Sequence, residues 1–298
     1  MSGRGGYHRP GQPARTDSDK AGGRGDGLPV GMRIVRRLLA GFGALMAATF
    51  LMSPARAEFE IPQVDLEKIE IKYRGASHQG MPQPDDDGEI EVLRQSHELE
   101  FQYGLTGFWA VRLTPSVEEP AEGTLELATV GIETQVVLVP RKGETFGLAA
   151  MAGYAPVSWF VDLEDPDEFE FGPIMELAHG GWLLTLNPRL VDQLGRHAET
   201  DNLGLEYASQ LEYRFAERWS VAALAFGEID DLGATGPFDA KVHLLGPSLY
   251  LYSPDHHDRP RNRSGLAPEE WALCAGVLFG LTDASADATV RVMFAMEY

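Results

Sequence analysis

The chain has 298 residues, 44% of them hydrophobic, enough for one large domain or two small ones. No apolar run reaches the ~18–20 residues a membrane-spanning helix needs, which argues against a helical membrane protein. The formal net charge is −20. Residues 1–57 hold nine Lys/Arg and three Asp/Glu, which leaves 16 basic against 42 acidic side chains in the remainder. Such a body repels nucleic acid. Cys274 is the sole cysteine, which excludes an internal disulfide and a cysteine metal cluster and fits a small core residue in a strand.

Residues 1–31 are rich in Gly, Arg and Pro and cannot fold alone. They are expected to be a disordered extension or a mis-assigned start, with translation beginning at Met32. Residues 32–57 read as a signal peptide: Arg33, Arg36 and Arg37 form a basic region, Leu38 to Met52 an apolar one, and Ala55-Arg56-Ala57 a cleavage site. The alternative is an uncleaved anchor. Arg36-Arg37 alone is a weak cue for a twin-arginine leader.

From residue 58 the pattern has a period of two. Ile69, Ile71 and Tyr73 alternate with Lys68, Glu70, Lys72 and Arg74. In Ser96–Leu105, His97, Leu99, Phe101, Tyr103 and Leu105 alternate with Glu98, Glu100, Gln102 and Gly104. In Leu203–Phe215, Leu205, Tyr207, Leu211, Tyr213 and Phe215 alternate with Glu206, Gln210, Glu212 and Arg214. A helix would not keep these faces apart. About twelve such strands are predicted, at 64–74, 95–105, 108–116, 124–139, 144–155, 169–178, 181–189, 203–215, 218–228, 239–252, 270–281 and 287–298. The apolar face of 124–139 switches near Ala128, which suggests a bulge. In 218–228 and 239–252 apolar residues occupy both faces and leave the orientation open.

No helix of useful length separates the strands, so consecutive antiparallel hairpins follow. Short connections (105–108, 140–144, 179–181, 216–218) alternate with long ones (75–94, 117–123, 156–168, 190–202, 229–238), as in an outer-membrane barrel. The long loops are acidic, with Asp85-Asp86-Asp87, Glu118-Glu119 and the run from Asp162 to Glu170. One pair breaks the rule: 253–269 is long where a short turn is due, and 282–286 is short where a loop is due. Either 253–269 is an insertion on the turn side or the strand count is off by two.

A soluble barrel with its apolar face inside would alternate equally well. Three features favour the membrane. Tyr103, Phe108, Trp109, Phe215 and Trp219 flank short turns, where an interfacial girdle lies. The polar faces carry both signs of charge. The last strand sets Val290, Val292, Phe294, Met296 and Tyr298 on one face, a pattern similar to the C-terminal signal read by the barrel-assembly machinery. The expectation is therefore an all-β protein: a closed antiparallel transmembrane β-barrel of about 12 strands over 58–298. It would sit in the outer membrane of a Gram-negative bacterium among outer-membrane lipid and lipopolysaccharide.

Tyr103-Gly104-Leu105-Thr106 and Phe279-Gly280-Leu281-Thr282-Asp283, with Asp287 four residues on, resemble hairpins of small outer-membrane barrels. The ending is similar to that of the grouping named for the MetA pathway of phenol degradation. Position 107 is Gly where that grouping has Asp, and the final residue is Tyr where Phe is commoner. The resemblance implies an outer-membrane barrel passing small hydrophobic compounds.

The expected lumen-lining residues are Lys72, Arg74, Glu98, Glu100, Glu133, Glu206, Glu212, Arg214 and Arg291. They would either line an aqueous path for small solutes, with acid favouring cations, or form an internal salt-bridge network in a plugged, structural barrel. Asp255-His256-His257-Asp258 has metal-binding residue types, but adjacent His side chains of an extended chain diverge. The Asp85–Glu89 stretch lacks the spacing of a calcium loop. Ser96-His97 cannot pair as a nucleophile and base because neighbours in a strand face opposite ways, and His179 belongs to a tight turn with Gly180-Gly181. Neither an enzyme nor a cofactor is expected.

Overall fold

The computed structural model describes residues 60–80, 93–120, 124–156, 166–195, 198, 202–254, 268 and 270–298. The expected extension 1–31 and expected signal peptide 32–57, with Asp85–Glu89, Asp162 and the 255–258 stretch, lie outside these residues.

Twelve strands form: β1 (Ile69–Gln79), β2 (Leu93–Thr106), β3 (Trp109–Pro120), β4 (Glu126–Val139), β5 (Phe146–Ala155), β6 (Asp167–His179), β7 (Trp182–Leu194), β8 (Gly204–Ala216), β9 (Trp219–Ile229), β10 (Val242–Tyr252), β11 (Glu270–Gly280) and β12 (Ala288–Glu297). Each pairs antiparallel with the next, and β12 pairs with β1, closing the barrel. Closure removes every sheet edge. At the tilt usual for such barrels, strands of this length cross an apolar band ~25 Å tall.

Even strand number puts Ile69 and Tyr298 side by side at one end, where Tyr298 N–H donates to Ile69 O at 2.9 Å. The short turns lie at that end. Gly180 and Gly181 link β6 to β7 with φ of 56° and 81°, a left-handed pair that a two-residue hairpin requires. The 253–269 connection falls at this turn end too. The irregular pair of connections is thus an insertion between β10 and β11, not a miscount.

Several boundaries differ from the periodic reading. β1 begins at Ile69 rather than 64 and runs on to Gln79, because Gly75 to Ser77 stay paired with both β2 and β12 although they carry no apolar alternation. β3 extends to Pro120, so Glu118 and Glu119 are strand residues opposite Ser96 and Gln95. β7 continues to Leu194, paired with β6 through Asp167. Residues Phe238–Ala240 form a 3-10 turn ahead of β10. At Ala128 the β3–β4 register steps from Ser116–Thr129 to Val117–Leu127, which is the bulge.

The apolar face points outward. Leu113, Ile132, Leu211, Val221, Leu245, Leu249 and Leu273 are exposed around the middle of the barrel. Tyr103, Phe108, Trp109, Phe146, Trp182, Tyr213, Phe215 and Trp219 ring the turn end, exposed as well. Trp182 and Tyr213 lie with ring centroids 4.7 Å apart. A belt of aliphatic side chains bounded by aromatics suits hydrocarbon and its interface, not water.

The two strands left open by the sequence resolve as follows. Ala222, Leu224 and Phe226 on β9 and Leu244 and Tyr250 on β10 point inward, joined by Ala208, Cys274 and Leu278. Thus the wall from β9 to β11 is largely apolar on the inside, and the charge is concentrated on β1 to β4 and β6 to β8, with Arg291 on β12.

The lumen and the segment that crosses it

Lumen-facing residues on neighbouring strands stand directly opposite one another, so strand register decides which charges meet. Lys72 is paired with Glu100 and Arg74 with Glu98 across β1 and β2. Lys72 Nζ lies 3.3 Å from Glu100 Oε1, and Arg74 Nη1 3.0 Å from Glu98 Oε2. Arg74 also bonds Glu100. Across β3 and β4, Arg112 Nη1 donates to Glu133 Oε2 at 2.8 Å, while its Nε reaches Gln102 Oε1 at 2.9 Å. On the far wall Arg189 pairs with Glu170 at 2.9 Å. Glu100 has no exposed surface and Arg112 only 3%, so both need their partners in full.

All nine expected lumen residues project inward. Lys72, Arg74, Glu98, Glu100 and Glu133 join this network. Glu212 accepts from Gln210 at 2.7 Å and from Tyr252 at 2.9 Å. Arg214 packs its guanidinium 4.7 Å above the Tyr252 ring at the turn-end mouth. Arg291 lies 4.3 Å over the Phe226 ring. Glu206 stands apart, beside the loop-end cavity.

The sequence reading missed Arg112, Glu170 and Arg189, and it missed the segment that crosses the lumen. Residues 60–66 are not strand. The Glu60 N–H donates to Asn187 Oδ1 at 2.9 Å, and Asn187 Nδ2 returns a bond to Glu60 O at 3.2 Å. The Glu60 carboxylate bonds Arg112 and lies 3.9 Å from Arg74. Gln135 Nε2 donates to Ile61 O at 2.7 Å. Val64 is buried among Ala110, Val137, Ala149, Met151 and Ile174, an inward apolar patch of β3 to β6. Two glycines admit the segment: a Cβ on Gly104 would fall 2.0 Å from Asp65 O, and one on Gly147 2.6 Å from Pro62 Cγ. Glu67 then adopts φ of 61° and turns the chain into β1, its N–H donating to Gly104 O at 2.9 Å.

The strap divides the interior. On the turn side an open cavity of about 410 Å3 is lined by Ile61, Gln63 and Asp65 of the strap and by Glu70, Arg214, Tyr252 and Glu297. On the loop side a cavity of about 70 Å3 is lined by Glu98, Glu133, Glu168, Glu170, Arg189 and Glu206, with Thr114, Ser116 and Thr129. Between them lies the belt of Glu60, Arg74, Glu100, Arg112 and Glu133.

Ser96 is buried on the inner face while His97 faces outward, where its Nδ1 shares a 2.8 Å hydrogen bond with the Tyr73 hydroxyl. A second pair, Tyr207 and His243, meets in the same way at 2.9 Å across Gly227. His179 is exposed in its turn, 4.0 Å from Glu144. Among the described residues no group of three or more His, Cys, Asp or Glu side chains is placed to hold a metal ion.

This is the architecture of a twelve-stranded outer-membrane-type barrel. Among solved structures, an outer-membrane channel from Pseudomonas putida F1 is similar over 83% of this chain and all of its own, with a TM-score of 0.51 at 10% identity. The NanC porin is similar over 76% of this chain and 98% of its own (TM-score 0.47, 10% identity). Omp33 from Acinetobacter baumannii is similar over 80% and 100% (TM-score 0.40, 10% identity). These likenesses concern the fold. No protein-family model and no curated protein matches the chain.

Proposed function

We propose that this protein is a Gram-negative outer-membrane channel that passes small solutes passively, at a rate limited by the 60–66 strap. The observation that carries this reading is the arrangement of two open polar cavities in line on either side of one narrow crossing. The apolar outer belt supports the membrane assignment, with outer-membrane lipid and lipopolysaccharide as its surroundings. The row Val290, Val292, Phe294, Met296 and Tyr298 on the closing strand is the surface we assign to the barrel-assembly machinery. The motif resemblance to the MetA-pathway grouping supports a channel for small compounds and leaves the solute open.

The competing reading is a plugged barrel that transports nothing. It is favoured by the burial of Glu60 at 2% exposure and by the inward Leu224–Phe226–Leu244 cluster. Single-channel recording on the protein purified from membranes separates them. Small stable current steps with cation preference are expected, and they should grow when Glu60→Ala removes the strap's main anchor. A folded, heat-modifiable barrel that carries no current, in the wild type and in the variant, would sink the channel reading.

A further inference from the structure

We propose that the loop-side cavity binds one small monovalent cation (sodium, potassium or ammonium) together with a few of its waters. The hydroxyls of Ser116, Thr114 and Thr129 replace part of its hydration shell, and Glu206 supplies the countercharge. This deepens the channel reading by naming the ion class, and it rests on that reading only for the ion's route to the site.

The charge of the cavity wall is unbalanced. Five carboxylates line it, those of Glu98, Glu133, Glu168, Glu170 and Glu206, and Arg189 is the one basic side chain among the described lining residues. Glu98, Glu133 and Glu170 are each held by an arginine at 2.8–3.0 Å. Two of those arginines, Arg74 and Arg112, are shared with Glu100 and with Glu60 of the strap. Glu206 is partly buried and has no basic side chain within 4.0 Å among the described residues. Arg189 stands opposite it in the β7–β8 register, but its Nη1 bonds Glu170. A cleft walled by an excess of one charge concentrates the opposite ion.

Charge alone does not make a site, and the β3–β4 wall adds oxygen ligands. Ser116 and Thr129 are directly paired across these strands, with Thr114 two residues along, opposite Gly131. The three hydroxyl oxygens are shielded from solvent and have no hydrogen-bond partner, and all three residues line the cavity. Ser116 is only 5% exposed. Buried hydroxyls are ordinarily satisfied. Each hydroxyl oxygen carries two lone pairs, and oxygens so placed stand in for the waters around an ion. The hydroxyl hydrogens in turn donate to the waters the ion keeps.

Size and ligand type then narrow the occupant. The cavity is about 70 Å3, and one water needs ~10–15 Å3 of such space, so it admits an ion with a few waters and no solute as large as a sugar. No group of three or more His, Cys, Asp or Glu side chains is placed to hold a metal ion among the described residues, which disfavours a divalent ion that takes several carboxylates. A monovalent ion suits neutral oxygens with one charge nearby.

The test is the heat-modifiable unfolding temperature of the full protein purified in detergent, with N-methylglucamine chloride replaced by sodium, potassium, ammonium or tetraethylammonium chloride. Constant ionic strength keeps the screening of exposed carboxylates the same throughout. An ion that binds only the folded barrel raises this temperature as its concentration passes the Kd. At least one of the three small cations should raise it along a saturating curve, and tetraethylammonium, too large for the cavity, should not. Glu206→Gln should move the midpoint of that curve at least about tenfold higher, and Ser116→Ala about threefold. Glu217→Gln, beside the turn-side cavity, should leave it unchanged. No rise with any small cation, an equal rise with tetraethylammonium, or a rise that Glu206→Gln leaves intact overturns the proposal. The size comparison decides on the wild type even if neither site variant folds. A bilayer recording keeps the two readings separate. Current steps from a protein without the small-cation rise overturn the site and leave the channel. The rise in a barrel that carries no current overturns the channel and leaves the site.

Discussion

Arg112 shows how much one residue can hold. It bonds Glu60 and Glu133, lies 3.7 Å from Glu100, and so joins the strap to three strands. Replacing it with Met leaves buried carboxylates without their countercharge. A loss of about 3 kcal/mol is expected, read as a lower temperature of heat-modifiable unfolding. Gly153 is the complementary case. Glu133 and Glu170 converge over it, with Glu170 Oε1 2.8 Å and Glu133 Cγ 2.9 Å from where a Cβ would sit. Gly153→Val should drive these side chains from their arginines and cost roughly 1–3 kcal/mol in the same assay. At this scale the sequence disclosed the polar face but not the pairs. Lys72, Arg74, Glu98 and Glu100 were readable as inward-facing from their alternation. Arg112 and Glu133 meet only because the β3–β4 register places them side by side, and periodicity does not encode register.

Among the elements, the strap was the hardest to read. Val64 and Leu66 imitate the alternation of a strand, so the predicted first strand took in residues that run through the lumen. A signal was present: those two occupy even positions, whereas Ile69, Ile71 and Tyr73 occupy odd ones. The phase changes at Glu67, the residue with positive φ. A non-glycine there costs on the order of 1 kcal/mol, so Glu67→Gly should raise stability slightly without altering conductance. Val64→Asp should do the reverse to the strap alone. It places a carboxylate against Ala149 and Ile174, both without exposed surface. The segment should leave the wall, seen as proteolysis near residue 64 in a barrel whose strands remain protected. β9 and β10 were illegible for another reason. Both of their faces are apolar, one meeting the belt and the other the inner cluster, so alternation carries no information there.

For the whole molecule, fold class was legible because closure and membrane contact demand the same thing of nearly every strand: polar in, apolar out. The strand count survived the irregular 253–269 connection because only an even number returns the chain to Ile69. The outer belt sets a test at this scale. Ile132→Arg, at an exposed apolar position near mid-height, should cost ~2–4 kcal/mol in lipid, while an arginine at Tyr103 nearer the turn end should cost ~0–1. Equal costs at the two positions would mean that no depth-dependent apolar phase surrounds the barrel. The strap also constrains the calendar of assembly. Its atoms are ringed by a wall that closes where β1 meets β12, and a closed ring cannot be threaded from the side. Residues 60–66 therefore reach their seat either before that seam closes or along the axis, through the mouth at the turn end.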